Sequence, residues 1–93
     1  MTNPDATALF RKAFPGEHDS ESDTVLIVRD ATGLDRQNVW NIVRTNRMSP
    51  VLALAIWRAA RPIGNIEARE LGPYLHRDHF GAYRDLAADG LFS

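Results

Sequence analysis

The segment Ala31-Thr32-Gly33-Leu34-Asp35-Arg36-Gln37-Asn38-Val39-Trp40 reads as a tight elbow between two helices. Gly33 supplies a residue that tolerates positive φ, and Leu34 supplies the apolar plug that such a bend needs. Asp35 then stands where an N-cap is wanted, ahead of a helix through Arg44 in which Val39, Ile42 and Val43 recur on the inner face. The residues before the elbow are ambiguous locally. Thr24-Val25-Leu26-Ile27-Val28 has the β-branched character of a buried strand, yet no alternating run elsewhere offers it a partner. Residues 24–32 therefore read as a helix ending at Gly33, with tertiary packing overriding propensity.

Helices continue on both sides. Ser49-Pro50 places a capping hydroxyl before a proline whose φ is preset for N1, and the apolar run Val51–Trp57 follows. This helix runs to Ala60, stops at Pro62, and has almost no polar face before Arg58, as a central buried helix would. Residues 45–48 form a polar connection into it. Upstream, Ala6, Leu9, Phe10 and Ala13 share one face of a helix over residues 5–14, which Pro15-Gly16 ends. Residues 16–23 are polar and acidic. Within them Ser20 and Asp23 have capping-box spacing for a helix opening near residue 22. Downstream, a short helix over 66–71 is closed by Gly72-Pro73. A last helix over 79–89, capped by Asp78, gathers Phe80, Tyr83, Leu86 and Ala87 on one side before Gly90. Six helices and no strand give an all-α bundle, one domain over residues 1–93.

Composition narrows the function. The 93 residues leave no room for a second core, and the absence of cysteine excludes disulfides and thiolate chemistry. No apolar run approaches membrane-spanning length, and the first residues lack the pattern of a secretory leader. A cytoplasmic protein without membrane association is expected. The net charge of −1 conceals a segregation. Residues 24–62 carry six arginines against two aspartates, whereas residues 1–23 and 63–93 are both net acidic. A basic centre of this kind suits a polyanion, because local field matters more than total charge.

The outer stripe of the second elbow helix is Arg36, Gln37, Trp40, Asn41 and Arg44. Arginine, glutamine and asparagine can make bidentate contacts to guanine or adenine edges. Here the chain resembles the Cro-like helix-turn-helix regulators of phages and prophages, in particular the small YdaS-type proteins. The resemblance spans about residues 24–75. It rests on residues 31–40 as turn and recognition helix, on Ser49-Pro50, and on Glu70-Leu71-Gly72-Pro73-Tyr74-Leu75. It departs from that group at Arg29, Thr32 and the longer acidic loop. The resemblance implies a lambda-repressor-like helical bundle, with residues 25–44 as the helix-turn-helix and 35–44 in the major groove. It further implies a transcriptional regulator acting on double-stranded DNA, often as a homodimer. By position, Asp35, Arg36, Gln37, Trp40 and Asn41 would face DNA, with Arg44 and Arg47 near the backbone.

Other readings compete. Trp40 fits a thymine methyl, a protein partner or the core equally well. A protein-binding module on the same scaffold, such as an antitoxin or an inhibitor of a DNA-binding partner, would use Trp40 or the acidic residues Glu17–Asp23. His76 and His79 could meet on one helical turn, but only Asp78 and the distant His18 could complete a metal site, so neither metal nor cofactor is expected. No serine or threonine stands near a histidine as an activated nucleophile would, and no enzymatic activity is expected. For a dimer surface the candidates are Phe80, Tyr83 and Leu86 of the last helix, and Trp57.

Overall fold

The computed structural model describes residues 4–76, 81, 83, 84 and 88–90. Among them are four α-helices, α1 (Ala6–Ala13), α2 (Glu21–Thr32), α3 (Arg36–Thr45) and α4 (Pro50–Ala60), followed by a 3₁₀ helix over Ala68–Tyr74. The all-helical expectation holds among these residues. The strand-like stretch 24–28 is helical because its burial pattern has helical period: Thr24, Val25 and Val28 face the core and Leu26 faces solvent. The Thr24 hydroxyl donates to the Ser20 carbonyl one turn back, a bond that only a helical backbone offers.

The expected caps are largely made. Asp5 accepts from the Ala8 N–H at 3.2 Å, Ser20 from Asp23 at 3.1 Å and Ser49 from Leu52 at 3.4 Å. Asp35 is a correction. Its side chain makes no capping bond, and it serves through its backbone, whose carbonyl accepts from the Val39 N–H at 3.2 Å.

The elements close over one cluster. Phe10 and Phe14 of α1, Val25 and Val28 of α2, Val39 and Ile42 of α3, and Ala53 and Ile56 of α4 meet there with Met48, Leu71 and Tyr83. α2, and not α4 as its apolar composition suggested, is the hub of the bundle: α2 packs against α1, α3 and α4, whereas α4 leaves Val51 exposed and Leu52 and Leu54 only partly buried. Between α1 and α2 the chain passes close to α2, so that a Cβ at Gly16 would lie 2.8 Å from the movable Cδ1 end of Ile27, and the φ of 152° at Gly16 is one that residues bearing a Cβ rarely adopt. His18 fastens the same loop, with one ring nitrogen 2.8 Å from the Phe14 carbonyl and the other 3.1 Å from the Thr24 hydroxyl.

Several expectations need correction. The short helix 66–71 is instead a 3₁₀ helix displaced to 68–74, and it runs through Gly72-Pro73. A reciprocal capping box between Glu67 and Glu70 sets its start. The fixed φ of proline suits 3₁₀ geometry, so Pro73 does not break it. Trp57 is not an exposed dimer candidate: it is buried, and its indole N–H donates to the Asp89 carboxylate at 2.7 Å. Tyr83 likewise belongs to the core and not to a surface. Of the expected last helix, Phe80, Leu86 and Ala87 lie outside the described residues, as do its expected cap Asp78 and His79.

Candidate nucleic-acid interface

Three residues separate α2 from α3, and each has a defined task. Gly33 adopts the left-handed conformation (φ 75°, ψ 7°), and its N–H donates to the Arg29 carbonyl at 2.9 Å. Leu34 is half-buried against the core. Asp35 is extended and launches α3. Thr32, where the sequence departs from an apolar pattern, brackets this turn. Its hydroxyl donates to the Val28 carbonyl at 2.7 Å and accepts from the Leu34 N–H at 3.2 Å. Arg29, the other departure, is exposed and paired with neighbouring Asp30.

The turn presents α3 with one face buried and one bare. Val39 and Ile42 are fully buried and Val43 packs against the core. Asp35, Arg36, Gln37, Asn41 and Arg44 are exposed. Successive turns of helix align these side chains, and the stretch from Arg36 to Arg44 extends about 12 Å. The Gln37 side-chain amide donates to the Asn41 amide oxygen at 3.3 Å, which places two exposed amide side chains side by side. Trp40 is partly buried and packs against the core, so much of its ring is engaged within the domain.

Arg29, Arg61 and Arg69 each pair with a carboxylate. Arg36, Arg44 and Arg47 have no ion pair among the described residues; nor have Arg11 and Arg58. A guanidinium with no internal partner needs no bond broken before it meets a phosphate or a carboxylate.

Beyond α3 the connection to α4 is not the plain polar link its composition suggests. Met48 is fully buried, and Asn46 caps α3 in the left-handed conformation at φ 55°. The Met48 N–H donates to the Tyr74 carbonyl at 2.8 Å, and its carbonyl accepts from the Tyr83 hydroxyl at 3.0 Å. Burial pushes the Tyr74 and Tyr83 phenols above their ordinary value, so both stay protonated donors at neutral pH. Sequence reasoning missed these anchors. The one available signal was asparagine directly after a helix, a residue that tolerates the left-handed C-terminal position.

Among the described residues no group of three or more His, Asp or Glu side chains could hold a metal ion, and no helix is long and apolar enough to cross a membrane. In comparisons with known proteins no family model matches the chain, and neither a curated protein nor a solved structure matches it.

Proposed function

We propose that the protein is a sequence-specific regulator that binds double-stranded DNA, with α2 and α3 as its helix-turn-helix and α3 as the helix that enters the major groove. One observation carries the reading. Immediately after a three-residue turn, α3 buries only its Val39/Ile42 stripe and exposes Arg36, Gln37, Asn41 and Arg44, and its two exposed arginines make no ion pair among the described residues. An exposed helix end bearing bidentate readers is what base recognition in the major groove uses. The resemblance to Cro-like, YdaS-type regulators points the same way.

A domain this small buries little surface on DNA, so tight specific binding calls for a homodimer on two related half-sites. Arg36, Gln37 and Asn41 are assigned to bases, and Arg44 and Arg47 to the sugar-phosphate backbone. Asp35 opens the reading helix, and Trp40 supports the stripe from its partly buried position.

Selection from a random duplex library tests the reading. It should enrich one short motif, repeated with two-fold symmetry at about one helical turn. No enrichment, together with capture of a protein partner through the α3 face, would favour the protein-binding module instead.

A further inference from the structure

We infer that Asn46 and Tyr83 are positioning residues that fix the backbone on either side of Arg47 and so hold its guanidinium toward a DNA phosphate; this rests on the DNA-binding reading above. Arg47 is exposed, has no ion pair among the described residues, and sits in the short connection between α3 and α4. Both neighbours of Arg47 are tied to distant parts of the chain. On one side, the Asn46 side-chain oxygen accepts from the Ala6 N–H at 2.9 Å, across 40 positions of sequence. Ala6 opens α1, where a backbone donor has no partner within its own helix, so one asparagine caps the end of α3 and the start of α1 together. On the other side, the Met48 carbonyl accepts from Tyr83, 35 positions away, while the Met48 N–H donates to Tyr74.

The physical consequence concerns entropy. A phosphate contact made from a loose loop must order both backbone and side chain, and that ordering subtracts from affinity. Here the backbone on both sides of Arg47 is ordered before DNA arrives. Only the arginine side chain remains to be fixed. None of the anchoring groups needs to touch DNA, so their loss should weaken what Arg47 contributes and leave base preference intact.

The test is a double-mutant cycle on duplex affinity with the full chain. Arg47→Ala is measured in wild type and in Asn46→Gly, Asn46→Asp and Tyr83→Phe backgrounds. Glycine keeps the left-handed backbone and deletes the acceptor, whereas aspartate keeps both. Arg47→Ala should cost about tenfold in wild type and in Asn46→Asp, but about threefold or less in Asn46→Gly and Tyr83→Phe. Asn46→Gly alone should make the log-log salt slope shallower by up to about one unit. A purely structural role would lower the melting temperature and leave the tenfold Arg47 effect unchanged, and that result overturns the inference. Should Tyr83→Phe fail to fold, the Asn46→Gly and Asn46→Asp pair decides alone. Wild-type protein that binds no duplex overturns the DNA-binding reading itself, before any variant is made.

Discussion

The Thr32 hydroxyl is engaged twice, donating to Val28 and accepting from Leu34, at the point where the chain turns from α2 to α3. Thr32→Val keeps the shape and removes both bonds, so unfolding by urea should show a loss of about 1–2 kcal/mol. Gly33 next to it is a conformational requirement alone, because a Cβ there meets nothing within 4 Å. Gly33→Ala should therefore cost about 1–2 kcal/mol from the left-handed backbone, and Gly33→Asn less, since asparagine tolerates that region as Asn46 does here. Equal losses for alanine and asparagine would mean that something other than φ sets the cost. Glu70 links the 3₁₀ helix to α1 through Lys12. The Lys12 ammonium and the Glu67 N–H hold its carboxyl below the ordinary 4.5. A lowered folded value stabilises above the unfolded one and is lost on acidification. The stability gap between wild type and Glu70→Gln should thus be present at neutral pH and close as pH falls below about 4.5. The pair is substantially exposed, so the gap should be small and shrink with salt.

Elements were legible where the sequence carried local punctuation. Ser49-Pro50 placed the start of α4 and Gly33 the end of α2 as found; Ser20 with Asp23 pointed to a start near residue 22, and α2 in fact takes in Glu21–Asp23, which the acidic composition suggested as loop. Ser49→Ala should accordingly cost about 1 kcal/mol in thermal unfolding, and wild-type stability would mean that the hydroxyl does not cap. The illegible parts depend on distant partners. That Trp57 is buried follows from Asp89, and that Tyr83 is core follows from Met48; no periodicity encodes either pairing. The 3₁₀ helix was misplaced because Gly72-Pro73 signals a stop for an α-helix but not for 3₁₀ geometry. The outer stripe of α3 was readable in advance because exposure on a helix follows from the buried stripe opposite. Its exposed residues are those named from the spacing, with Trp40 turned partly inward.

At the scale of the whole molecule, Tyr83 and Asp89 are built into the domain. Tyr83 is fully buried, and Asp89 takes the Trp57 indole N–H. Truncation after residue 76 should therefore destabilise the fold rather than release a folded monomer. Tyr83→Ala should cost about 3–5 kcal/mol, a large share of the roughly 5–15 kcal/mol that holds a domain together. A truncated chain that unfolds with full cooperativity at the wild-type midpoint would refute this. Charge is also arranged on this scale, since Arg36, Arg44 and Arg47, which make no ion pair among the described residues, lie in a chain whose net charge is −1. Binding to a polyanion through that face alone should be steeply salt-dependent despite the overall acidity.

The most direct measurement is the affinity of wild type and Gln37→Ala for a selected and a scrambled duplex, each across a range of salt concentrations. If α3 reads DNA, wild type prefers the selected duplex by about 10³-fold or more, and both affinities fall linearly in log-log plots against salt. Gln37→Ala then loses about 1–3 kcal/mol on the selected duplex, through one base position, and binds the scrambled duplex as wild type does. Equal wild-type affinity for both duplexes, or identical behaviour of Gln37→Ala and wild type on both, would contradict the assignment of α3 as the reading helix.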